Sequence, residues 1–126
     1  MPEPRTQSLI VDAANVVGSR PNCWWRDRAG AARRLAERLT AAELPYAEVV
    51  LVLEGAARPG VPAGQAGGVR CIHAPGSGDE RIVEAAHERA GAGRDVTVVT
   101  ADRELRSRVE AVGASTAGPS WLLERI

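Results

Sequence analysis

Four carboxylates stand at the ends of apolar runs or at the starts of helices. Asp12 closes "SLIVD", Glu54 closes "EVVLVLE", Asp79 sits in "GSGDE", and Asp102 follows "DVTVVTA". Carboxylates crowded into one place repel each other, and partial burial raises their pKa values unless a cation sits among them. An all-oxygen donor set suits a hard ion, Mg²⁺ or Mn²⁺, rather than a soft metal. The chemistry to test is therefore capture of a divalent ion. Each acid also has a plainer reading. Asp102 has the position of a helix cap. Ser77 and Glu80 have the spacing of a capping box, which gives Glu80 a structural job more easily than Asp79. Glu54 borders a glycine-rich loop and reads equally well as a solvated strand end. Asp12 is the hardest to set aside, because an acid directly after Leu-Ile-Val serves no evident cap pattern.

The elements that position these acids follow from the hydrophobic pattern. Residues 8–12, 48–54, 69–73 and 95–100 are short apolar runs without alternation, as buried parallel strands are, and 114–117 is a candidate fifth strand. Helices are expected over 27–43, where Asp27 is a cap and Ala31, Ala32, Leu35 and Leu39 share a face, and over 76–91, with Ile82, Val83, Ala86 and Ala90 inward. A third runs over 102–112 and is ended by Gly113. A closing short helix docks Trp121 and Leu122. Residues 16–25 read as a loop, and 55–68, with its glycines and prolines, as a mobile loop. Alternating strands and helices imply an α/β fold with a parallel sheet covered on both faces, expected in the order 3-2-1-4-5 with the switch between the first and fourth strands. Ligands bind outside the carboxyl ends of such strands. All four acids belong to that rim.

The chain has 126 residues, 44% apolar and 25% charged, which suits a single domain over 1–126, with 1–7 as a flexible start. No apolar run approaches the roughly 20 residues of a membrane span, and "MPEPRTQS" has no secretory character. Two cysteines make no disulfide framework, so a cytoplasmic location is expected. Net charge is zero, and all 16 basic residues are arginine, which fits a GC-rich coding sequence as well as a choice for phosphate. Arg20, Arg26, Arg28, Arg33, Arg34 and Arg38 nevertheless make a local basic stretch.

"LIVDAANVVGS" resembles the opening of NYN ribonuclease domains, in which a strand ends in an aspartate with an asparagine close behind. "GSGDERIVEA" resembles the segment where that family's second aspartate starts a helix, and "VVTADREL" its later strand-end aspartate preceded by threonine. The resemblance runs from Ser8 to about Val112 and is strongest to the YacP-like branch. It implies a PIN-like, Rossmann-like three-layer sandwich and a metal-dependent ribonuclease, an endoribonuclease in particular, hydrolysing RNA phosphodiester bonds. Asp12, Asp79 and Asp102 are the implied metal ligands and catalytic residues, with Glu54 a further candidate and Asn15 placed to orient a ligand or contact phosphate. Two departures stand out. Ala13 and Ala14 occupy the place of the branch's usual Gly-Tyr or similar pair, and Glu54 stands where aspartate is more usual.

On the substrate side, "CWWRDR" offers Trp24, Arg26 and Arg28, with Arg20 nearby, for stacking on unpaired bases and binding phosphate; Thr100, the threonine ahead of Asp102 in the motif that carries the family resemblance, is a further candidate for contact with substrate. Trp25 is expected to pack against the sheet instead. RNA is the expected partner, with the ribosome or another RNA-processing assembly a further one. Cys23, Cys71, His73 and His87 match no zinc spacing. No phosphate loop ending in Gly-Lys-Ser/Thr exists. A phosphotransfer enzyme using Asp12 as nucleophile lacks a second aspartate two residues on and any lysine. A catalytically silent RNA- or protein-binding module on the same fold is the alternative.

Overall fold

The structure is a computed structural model describing residues 6–19 and 24–126; Arg20 and Cys23 lie outside the described residues, as does the side chain of Trp24. Among the described residues six strands form one sheet: β1 (Gln7–Asp12), β2 (Glu48–Leu53), β3 (Gly64–Ala66), β4 (Val69–His73), β5 (Asp95–Val99) and β6 (Ser115–Ala117), in the order β3-β4-β2-β1-β5-β6. All neighbours are parallel except β3, which pairs antiparallel with β4. The five parallel strands thus stand in the expected order, and β3 is an addition. β1 begins at Gln7, inside the stretch expected to be flexible.

Strand alternation distributes the core to two faces. Leu9 and Val11 of β1, with Leu51 and Leu53 of β2, pack against α1 (Ala13–Gly18), α2 (Arg28–Ala42) and α5 (Pro119–Leu123). Ile10, Val50, Val52, Val96 and Val98 face α3 (Gly78–Gly91) and α4 (Arg103–Ala111). A strand buried on both faces must be apolar at successive positions, which is why these runs show no alternation. The result is a three-layer sandwich. Its helices end as expected: Asp27 caps α2 by accepting from the Gly30 amide at 2.8 Å, and Gly113 follows α4 at φ +99°. Among the described residues no helix is long and apolar enough to cross a membrane.

Two stretches depart from expectation. Residues 13–18 form α1 rather than a loop, and Asp12 is its cap, accepting from the Asn15 amide at 3.4 Å. Asp12 therefore does have a cap pattern to serve. The second departure is 55–68, which is tied down rather than mobile. Gly55–Gly60 forms a 3-10 turn packed so closely on α2 that a Cβ on Gly60 would lie 2.0 Å from the Ala29 carbonyl oxygen. The Val61 carbonyl accepts from the Cys71 thiol at 3.8 Å and lies 2.7 Å from His73 Nε2. Cys71 and His73 therefore anchor this loop to β4.

Candidate functional site

The parity that builds the second core face also aims the acids. Asp12 follows Ile10 by two residues, Glu54 follows Val52, and Thr100 follows Val98, so all three side chains project toward the α3/α4 layer. There Asp79 stands in the first turn of α3, and Asp102 caps α4 by accepting from the Leu105 amide at 3.0 Å. The β1–β5 register pairs Val11 with Val99, which sets the next residues, Asp12 and Thr100, side by side at the switch point.

Thr100 is the link that neighbouring residues in the sequence could not reveal. Its hydroxyl donates to Asp12 Oδ2 at 3.0 Å and accepts from the Asp102 amide at 3.2 Å. Thr100 has no exposed surface, and its hydroxyl is taken up between Asp12 and Asp102. Asn15 makes a parallel tie: its Oδ1 accepts from the Ala101 amide at 2.7 Å, joining the start of α1 to the turn after β5. Glu54 Oε2 accepts from the Gly78 amide at 3.1 Å. A Cβ at residue 78 would lie 2.9 Å from Glu54 Oε1, so glycine makes room for that carboxylate at the start of α3. Ser77 caps α3 through the Asp79 amide, but Glu80 does not close a capping box; it pairs with Arg108 at 3.0 Å.

Electrostatically the rim is strained. Asp12 is only 7% exposed. Burial pushes its carboxyl up to about 6, against the lowering pull of the Thr100 and Asn15 hydrogen bonds and with the fields of Asp79 and Glu54 adding to the rise. Asp79 is also raised, first by burial, then by Asp102 and Glu54, with Arg108 opposing and Glu104 reinforcing. Glu104 and Arg108 were not foreseen. Glu104 carries a signal, an acid in the first turn after Asp102, whereas nothing in the spacing links Arg108 to an aspartate on another helix. Asp12 has no cation partner among the described residues.

These carboxylates share a field without converging on a point. Among the described residues no three His, Cys, Asp or Glu side chains form a group that could hold a metal ion as they stand. The donor chemistry still fits a hard divalent ion: oxygens only, one acid buried, and two held above their ordinary pKa by burial first and by neighbouring acids second.

Beside the rim lies a cleft of about 300 Å³ lined by Ala13, Ala14, Val17, Ala32 and Ala57 together with Arg28, Glu54 and Gly55. A larger cleft of about 560 Å³ lies between α2 and the β3–β4 hairpin, but none of the rim acids lines it. Trp25 is 55% exposed instead of packing on the sheet, because it sits in a 3-10 turn (Trp24–Arg26) ahead of α2. Arg26 and Arg28 are exposed on the same stretch, on the α1/α2 side of the rim.

No family model matches the chain, and no curated protein matches it in sequence. Among solved structures it is similar to Rae1 (YacP) from Bacillus subtilis, determined as a point mutant. The TM-score is 0.65 at 21% identity, with 94% of this chain and 73% of that chain covered. The likeness is one of fold, and the fold is that of the branch its motifs resemble.

Proposed function

We propose that this chain is a nuclease that hydrolyses phosphodiester bonds in RNA, with Mg²⁺ or Mn²⁺ held at the acidic rim by Asp12, Asp79 and Asp102. The observation that carries the reading is Asp12: a buried carboxylate at the switch point, raised to about 6, with other acids in its field and no described cation to offset it. A fold keeps such a group at a cost in stability, and perturbed acids at a strand-end crevice are where catalysis is sought first.

A bound divalent ion would supply a nucleophilic water at neutral pH and neutralise charge on the phosphate. The chain's own residues do the positioning. Thr100 orients one oxygen of Asp12, the Asn15 amide meets the other, and the Asn15 side chain locks α1 to the turn bearing Asp102. Arg26 and Arg28 offer phosphate contacts beside the rim, and the exposed Trp25 is a stacking surface in addition to the Trp24 read from the sequence. The ribosome or another RNA-processing assembly is the proposed partner that presents the RNA.

The second reading, a silent binding module, draws on the missing convergence of three ligands. One experiment separates the two. Purified protein is titrated with Mn²⁺ by calorimetry and assayed for RNA cleavage with and without chelator. Ion binding and chelator-sensitive cleavage, both lost in Asp12→Asn with the fold intact, are expected; RNA binding with neither would establish the silent module.

A further inference from the structure

Charge is not placed alike on the three long helices. In α3 the first turn carries Asp79 and Glu80 and the last turn Arg89, and in α4 the same places hold Glu104 and Arg108. Acids at the start of a helix and bases at its end offset its dipole, so these charges serve the helices themselves. α2 does not follow that pattern. Asp27 caps it, but its first turn holds no acid and its last turn no base, while Arg28, Arg33 and Arg34 stand in its first half.

The arginines also differ in what they touch. Arg38 donates to the main-chain oxygen of Ile126 at 2.8 Å, Arg106 to Thr116 at 3.1 Å, and Arg125 stacks on Trp121. Arg28, Arg58, Arg70, Arg81, Arg89, Arg94 and Arg108 are engaged as well. Among the described residues that leaves Arg26, Arg33, Arg34 and Arg103, and all but Arg103 lie on α2 or in the turn before it. Arg26, Arg33 and Arg34 are exposed, and Glu37 is the one acid within α2. From Arg26 to Arg38 five arginines stand against Asp27 and Glu37, a net charge of +3 in a chain whose net charge is zero. The neighbouring α1 carries no charged residue.

We infer that the outer face of α2, through Arg33 and Arg34, is a second contact surface for the RNA backbone, set away from the acidic rim, so that the favoured substrate is an RNA long enough to reach from the point of cleavage over α2. The identity of the polyanion rests on the proposed nuclease function. RNA affinity comes largely from neutralising phosphates, and a rim of carboxylates works against it. The attraction therefore has to come from another face. The amino end of α2 is at the rim, where Arg28 and Ala32 line the cleft with Glu54 and Gly55. Arg33 and Arg34 lie about 8 Å further along the helix axis. They are thus close enough to hold the same RNA and too far along to meet the phosphate that is cut.

The test changes Arg33 and Arg34 together in the whole protein. With both replaced by Gln, KM for an RNA of about 20 nucleotides should rise about tenfold, and the salt slope of its binding should fall by about 1–2. The same variant should leave kcat unchanged, and also kcat/KM for a trinucleotide, which does not extend past the rim. With both replaced by Lys, the charges remain and KM should return to that of the parent, because a phosphate accepts a point charge. Arg70→Gln makes one of the same charge changes at the opposite end of the sheet and should move neither KM nor slope. KM and slope unmoved in the double Gln variant overturn the surface, and leave the nuclease standing where both RNAs are still cut. An equal loss on the trinucleotide overturns it too, since the change then acts at the rim. Weaker binding to phosphatidylserine vesicles with the RNA slope unmoved gives the face to a membrane surface instead. A lowered slope in a protein that cuts neither RNA establishes the surface and removes the nuclease.

Discussion

Glu48 and Asp12 lie on adjacent strands, face the same helix layer, and sit at opposite ends of the sheet. At the amino end Glu48 is surrounded by partners. Arg89 donates to both its oxygens at 2.7 and 3.0 Å, Ser8 donates at 3.1 Å, and Arg94 lies at 3.6 Å. The Arg89 hydrogen bonds lead in holding its carboxyl below the usual range, against partial burial. At the carboxyl end Asp12 has two hydrogen bonds and no described cation, and is raised to about 6. The same fold has thus satisfied one acid and left the other wanting. An acid that exists for the fold is paired; one left in a raised state at a strand-end crevice is placed for a ligand.

Substitution at the two positions should break the symmetry most visibly. Asp12→Asn should lower RNA cleavage about a thousandfold or more, since an ion's share of transition-state stabilisation is several kcal/mol and each 1.36 kcal/mol is tenfold. Glu48→Gln should leave the metal dependence of cleavage unchanged. Single-turnover assays across Mn²⁺ concentration check both.

Stability should move the other way. Asp12 binds its proton more tightly folded than unfolded, so ionisation withdraws stability as pH rises from its ordinary 3.8 to about 6. In metal-free buffer at pH 7, Asp12→Asn should therefore be the more stable protein, by about 3 kcal/mol at most, and the difference should vanish below about pH 4. Glu48 is lowered, so its contribution is present above its ordinary 4.5 and fades as pH falls through its folded value. Glu48→Gln should cost about 1–2 kcal/mol at pH 7, a partly exposed pair being worth less than a buried one. Urea unfolding at pH 4 and pH 7 decides both signs.

Two smaller effects sharpen the contrast. Thr100→Val removes the hydroxyl orienting Asp12 and should weaken Mn²⁺ binding about 10- to 100-fold, as loss of an orienting hydrogen bond behind a ligand does. Calorimetric titration reads it directly. Among the arginines, Arg28→Ala should reduce the salt slope of RNA binding by about 1, whereas Arg89→Ala should lower stability and leave that slope unchanged. Filter binding from low to moderate salt tests the pair.

Much of this frame was legible in the residues, and its gaps have physical causes. Doubly buried strands such as "LIVD" and "VVLVL" announce themselves by unbroken apolarity, and the acids at their ends could be assigned to one rim by topology alone. Helix α1 could not be foreseen, because six residues containing two valines and a glycine are poor helix formers, stabilised here by a cap and by burial of Ala13 and Val16. Strand β3 is invisible for a different reason: Gly64, Gln65 and Ala66 are all exposed and carry no alternation. The role of Thr100 depends on the β1–β5 register, a pairing between residues 88 apart. The Arg108–Glu80 pair likewise joins helices whose contact no local pattern encodes.

Both outermost strands, β3 and β6, are only three residues long. A sheet with so apolar an interior would invite polymerisation if its borders exposed long rows of free amides and carbonyls. Here an incoming strand finds only a stub to zip onto at either border, and β3 is additionally interrupted by glycine neighbours. Edge-to-edge pairing between copies of the chain is thereby held to short ladders.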